Sequence, residues 1–93
     1  MKTHRLKSWP EQFAVIEDGS KPFDIRHTIG RTFAVGDVVT FCEFDDKKGV
    51  FTGREVMRRI TFVQHGLGPG AIAPLRGIQI NHCVLGLASE EGE

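Results

Sequence analysis

The sequence predicts an α+β fold: a small mixed β-barrel of about five to six strands with one helix near the N-terminus. Three observations carry this expectation. The apolar residues are rich in Val, Ile and Phe, the types that fit a pleated surface. Eleven glycines are many for a helical chain of 93 residues and suit turns between short strands. In so short a chain an open sheet leaves edges that nothing else covers, and closure into a barrel removes them. The length allows one domain over residues 1–93, with a core at about 4–87 and an acidic tail at 88–93. Such a chain buries roughly 60–65% of the surface it exposes when unfolded, enough for one core.

The elements follow in order. His4 to Lys7 reads as a first strand. Ser8-Trp9-Pro10-Glu11 then signals a helix start, with Ser8 or Trp9 at the cap, Pro10 at the first helical position and Glu11 at the positive end of the dipole. Trp9, Phe13 and Ile16 recur at helical spacing, which assigns Phe13 and Ile16 to the core; Trp9, beside the helix-start proline, reads as core too, with stacking on a base as its functional alternative. Gly19 ends the helix in the left-handed conformation, and Lys21 follows at its negative end.

From Pro22 the period changes to two. Phe23 and Ile25 share one face, read as the core face, and Asp24 and Arg26 share the other. Thr28 to Ala34 is a polar loop, and Val35-Gly36-Asp37 is a turn before the next strand. Val38 to Phe44 is almost wholly apolar or β-branched, so burial on both faces is expected except at Glu43. Asp45 to Gly49 makes a hairpin connection. Residues 50 to 63 return, with Val56, Ile60 and Phe62 on the apolar face, Arg58 interrupting it, and Gly53 at a bulge. Residues 66 to 78 are glycine-rich and read as an exposed mobile loop, and Asn81 to Leu87 forms the last strand.

Charge limits the functional classes. Lys and Arg number 12 and so do Asp and Glu, so strong nonspecific phosphate binding is not expected. Three of the acidic residues lie in Ser89 to Glu93, however, which leaves the body with 12 basic against nine acidic residues and room for a modest basic patch. No apolar run approaches the roughly 20 residues needed to span a bilayer, and Met1 to Arg5 is not followed by a signal-peptide apolar core. A cytoplasmic protein with no membrane partner is expected. Cys42 and Cys83 read as reduced core residues. His4, His27, His65 and His82 lack HxxxH spacing, and neither a metal nor a cofactor is expected.

The chemistry concentrates in Gly19 to Arg26. Arg26 offers a planar fork of donors suited to phosphate or a base edge, and Lys21 a mobile charge at a glycine turn. Asp24 suits an exocyclic amine or holds Arg26 in place. Read without a ligand, Asp24 and Arg26 form a solvent-exposed ion pair worth less than about 1 kcal/mol. Arg54, Arg58 and Arg59 share a later strand, with Arg54 and Arg58 on one face. Arg58 and Arg59 are weaker phosphate-contact candidates, against a structural pairing with Glu43 or Glu55. His27 reads as a loop histidine, and Thr28 and Thr61 have no assignable place.

These residues carry a resemblance. The succession Trp9-Pro10-Glu11-x-Phe13, Gly19-x-Lys21-x-x-Asp24-x-Arg26, Phe33-x-Val35-Gly36-Asp37, Thr52-Gly53-Arg54 and Cys83-Val84-Leu85-Gly86 resembles the ASCH domains of the PUA-like superfamily over roughly residues 4 to 87. It looks most like the small stand-alone prokaryotic and phage members. The resemblance implies a PUA-like barrel with a cleft lined by Lys21, Asp24 and Arg26 that binds RNA or a nucleotide. Asp24 stands where Glu is commoner, which shortens the carboxylate arm by one methylene. Some ASCH-like proteins of this size resemble amidohydrolases that deacylate modified cytidines through a lysine, a threonine and a glutamate. Here Lys21 matches the lysine and Asp24 occupies the threonine's position, so an amidohydrolase acting on modified nucleosides is the alternative, with a Lys21–Asp24 pair activating water. A protein-interaction module, suggested by the small size and loop 66 to 78, is a third class.

Overall fold

The computed structural model describes residues 1–66 and 77–89. In chain order the elements are β1 (Thr3–Ser8), α1 (Pro10–Glu17), β2 (Phe23–His27), β3 (Val38–Asp45), β4 (Val50–His65) and β5 (His82–Ser89). The five strands form one sheet in the order β1-β3-β4-β5-β2, curled into a half-barrel. β1 runs parallel to β3, and the other three pairings are antiparallel. The expected small, strand-rich α+β architecture is present, but the curl does not close: β1 and β2 remain the two edges of the sheet. Most of the glycine-rich loop and the end of the acidic tail lie outside the described residues.

The helix begins as its sequence signals. Trp9 is the N-cap with an extended backbone, Pro10 occupies the first turn, and Glu11 sits at the positive end of the dipole. Asp18 is the C-cap, and Gly19 follows at φ +86°, a conformation that a Cβ disfavours. Phe13 and Ile16, three residues apart, turn into the concave side of the sheet and pack with Leu6, Val39, Phe41, Ile60 and Leu85. The core is therefore one cluster enclosed between α1 and the curl of the sheet. On β1, His4, Leu6 and Ser8 face inward, in register with Val39, Phe41 and Glu43 of β3.

Two bulges correct the simple alternation expected for β4. Between Cys42 and Phe44 the β3–β4 register shifts, and Gly53 within the extra residues takes φ +92°, as its position in the pattern suggested. The second bulge lies between Ile60 and Phe62. Ile60 pairs with Leu87 and is buried, but Phe62 pairs with Gly86 and turns outward, so it leaves the apolar face to which alternation assigned it. Glu43 also differs from expectation. It is buried, because Thr52 Oγ1 donates to its carboxylate at 2.8 Å and Arg54 lies 3.7 Å away.

Arg54 and Arg58 tie β4 to α1. Arg54 pairs with Glu17 and lies over the Phe13 ring. Arg58 does interrupt the apolar face, and its guanidinium donates to the carbonyls of Ile16 (3.3 Å) and Glu17 (3.1 Å) at the helix C-terminus, adding at Ile16 to the hydrogen bond from the Gly19 N–H (3.2 Å).

The Val35-Gly36-Asp37 turn joins β1 to β3 through one buried carboxylate. Asp37 accepts from the backbone N–H of Lys2 (2.9 Å) and of Ala34 (3.1 Å) and from His4 Nε2 (2.9 Å). Asp37 only accepts and Arg31, at 3.5 Å from His4 Nδ1, only donates, which assigns the proton of the neutral imidazole to Nε2. The His4 hydrogen bond is the main reason the Asp37 carboxyl titrates below its ordinary value. The Lys2 and Ala34 amides add to it and partial burial opposes it. A carboxyl depressed in the folded state contributes its stability in full above the unfolded value of about 3.9 and loses it as pH falls through the lower folded value. Asp37→Asn is expected to cost about 1–3 kcal/mol at pH 7 and to flatten the loss of stability below pH of about 4, both read from urea melts across pH.

Candidate functional site

The seam where the barrel fails to close is a cleft of about 500 Å³. Its walls come from the end of β1, the start of α1 and the inner face of β2.

β2 is turned opposite to the reading from alternation. Asp24 pairs with Leu85 and Arg26 with Cys83, both inward-facing residues of β5, so the charged residues face the interior of the curl. Asp24 is 5% exposed, whereas Ile25 is 54% exposed and Phe23 is also on the outer surface. The reason is local. β2 is an edge strand, and beyond it the interior is a cleft open to water rather than packed core, where an ion pair is tolerated.

The three motif residues converge there. Asp24 Oδ2 accepts from Arg26 Nε at 2.5 Å, and its Oδ1 lies 3.5 Å from Lys21 Nζ. Lys21 Nζ also donates to Gln12 Oε1 of α1. Arg26 Nη2 donates to the backbone carbonyl of Lys7 at 3.1 Å, so one side chain spans the gap between the two edge strands. Its guanidinium also sits 5.8 Å from the Phe41 ring centre. Arg26 and Lys21 are mostly buried. The pair is thus not the solvent-exposed one that sequence alone allowed.

Five further residues line the cleft: Lys7, Ser8, Trp9, Gln12 and Ile25, of which only Trp9 carried a functional alternative in the sequence. Trp9, expected in the core, is 55% exposed, because as the N-cap it precedes the helical turns whose inner face carries Phe13 and Ile16. The Ser8-Trp9-Pro10 helix start was the only signal for this wall, and nothing local to it showed that β2 would stand opposite.

Arg58 and Arg59 are not brought to this cleft. Arg58 serves the helix terminus, and Arg59 on the opposite face of β4 donates to the Gly36 carbonyl at 3.0 Å. His27 stacks edge-on against His82 with centres 4.8 Å apart. Cys83 lies beneath Arg26 in register. Burial, with the Asp24 charge adding to it, pushes its thiol up and leaves it a poor nucleophile at neutral pH. Burial raises the Cys42 thiol as well. Among the described residues no three His, Cys, Asp or Glu gather as a metal site, and no helix is long and apolar enough to cross a membrane.

A second depression, of about 370 Å³, lies beside Arg5, Cys42, Phe51 and Arg54. Its charges are committed to one another, Arg5 to Glu55 at 2.5 Å and Arg54 to Glu17 and Glu43.

Fold and site together define a small half-barrel domain with a charged cleft at its open seam. The chain belongs to the family described as Domain of unknown function (DUF3850), which matches residues 3–87. No curated protein matches it.

Removing Asp24 leaves Lys21 and Arg26 as facing cations, whereas removing Lys21 leaves the Asp24–Arg26 pair intact. Asp24→Asn is therefore expected to destabilise the fold by about 2 kcal/mol and Lys21→Met by less than half of that, compared by urea unfolding at pH 7.

Proposed function

We propose that this domain binds RNA or a nucleotide in the seam cleft, through Lys21 and Arg26 held in place by Asp24. The observation that carries this reading is the buried carboxylate flanked by two cations on the wall of an open cleft. Asp24 fixes the direction of both, and one positive charge is left over for an anionic ligand. The resemblance to ASCH domains supports it, since the motif Gly19-x-Lys21-x-x-Asp24-x-Arg26 that carries the resemblance is the segment that lines the cleft. A PUA-like classification of the half-barrel belongs to the same proposal.

The second reading, an amidohydrolase acting on acylated or modified nucleosides, draws on the 3.5 Å contact between Lys21 Nζ and Asp24. A base must reach the water it activates, and here each Asp24 oxygen already faces a cation. The geometry accordingly favours binding over hydrolysis.

Binding of a fluorescent single-stranded RNA separates the readings. The expected result is an affinity that falls as salt rises, weakened at least tenfold by Arg26→Ala and within about twofold of wild type in Lys47→Ala, a change of exposed charge on the β3–β4 hairpin. No binding by the wild-type protein at low salt, together with turnover of an acylated cytidine that Lys21→Ala abolishes, would replace the first reading with the second.

A further inference from the structure

Ser8 raises a question that the scaffold does not answer. Its side chain ends β1 on the inner face and lines the cleft, and it is 3% exposed. Its Oγ is the one buried side-chain nitrogen or oxygen among the described residues without a hydrogen-bond partner. A buried hydroxyl with no partner is unfavourable, so its retention at the wall of an open cleft points to a partner that arrives with the ligand.

The neighbouring groups define what that partner offers. Both oxygens of Asp24 face cations, and the Gln12 Oε1 and the Lys7 carbonyl each accept from one of those cations. On the donor side, Arg26 Nη1 and the Ser8 hydroxyl remain uncommitted, and Lys21 Nζ has three hydrogens for two partners. The cleft therefore has donors to spare, one positive unit of net charge on the Lys21, Asp24 and Arg26 group, and the greatest complementarity for a ligand rich in acceptors. Beside Ser8 stands Trp9, whose indole makes no capping hydrogen bond and is more than half exposed at the cleft wall. An aromatic face next to a donor-rich, positively charged cleft suits a stacked planar base. The volume of about 500 Å³ falls in the range of small-ligand sites.

We propose that the cleft holds a single nucleotide with its base stacked on Trp9, a ring carbonyl of that base accepting from the Ser8 hydroxyl, and its phosphate at Lys21 and Arg26. This rests on the nucleotide-binding reading above and narrows it. Carbonyl-bearing bases are preferred to adenine, which has none, and Ser8 is the residue that sets the preference.

Trp9 is the chain's single tryptophan, so its fluorescence reports on this wall directly. Titrations of wild type, Ser8→Ala and Arg26→Ala with UMP and with AMP at low salt make the test. The expected result is quenching by both nucleotides, with UMP bound about tenfold more tightly than AMP. Ser8→Ala should close that gap to within about twofold, and Arg26→Ala should weaken both. Because Ser8 Oγ has no partner in the free protein, Ser8→Ala should also leave the thermal midpoint unchanged or raise it. Equal affinities for UMP and AMP, both lost in Arg26→Ala, would overturn the base preference and leave the nucleotide-binding reading standing. A lowered midpoint in Ser8→Ala would show a structural role for the hydroxyl and overturn its assignment to the ligand. Absence of binding by either nucleotide or by RNA would overturn both.

Discussion

The hydrogen bond from Arg26 to the Lys7 carbonyl fixes the character of this molecule, because it stands where a strand-to-strand ladder does not. The order β1-β3-β4-β5-β2 leaves β1 and β2 as edges of a curled sheet, and an edge presents backbone groups that need partners. Here a guanidinium reaches across the gap between those edges. For Arg26 to do this its side chain must point into the curl, and the period of two then places Asp24 there as well and sends Phe23 and Ile25 outside. Taking these charges out of water is tolerable because each finds a partner of opposite sign or a carbonyl.

Two buried aspartates have opposite relations to the fold. Asp37 gathers donors from Lys2, His4 and Ala34, all of them on the β1 and β3 side of the scaffold, and its capacity is spent on holding that scaffold together. Asp24 gathers two long cationic side chains beside open space, and what it orients still has donors to offer. The arginines divide in the same way. Arg54 and Arg58 hold α1 against β4, and that attachment positions the helix whose start supplies Trp9 and Gln12 to the cleft. The supporting charges and the site charges are therefore distinct sets, linked through the helix.

Much of the fold was legible in local chemistry. Pro10 and Gly19 bracketed the helix because each has a backbone preference that few other residues share, and Gly53 marked its bulge for the same reason. Strand order and the second bulge were not legible. Nothing in Ile60-Thr61-Phe62 distinguishes an unbroken strand from one that admits an extra residue, since the choice is made by the pairing with Leu87 and Gly86. The convergence of Lys21, Asp24 and Arg26 was visible as a motif, whereas the contribution of Ser8, Trp9 and Gln12 required the seam.

The sequence by itself determined the positions and types of the elements, the turns between them, and, away from the second bulge of β4, which residues of each strand share a face. These follow from backbone preference and side-chain period, which act over a few residues. Only the tertiary structure decided which face of β2 looks inward, that Glu43 is buried and Trp9 exposed, and that the curled sheet stays open between β1 and β2. Inside and outside are relations between segments distant along the chain, and a period of two is the same read from either side.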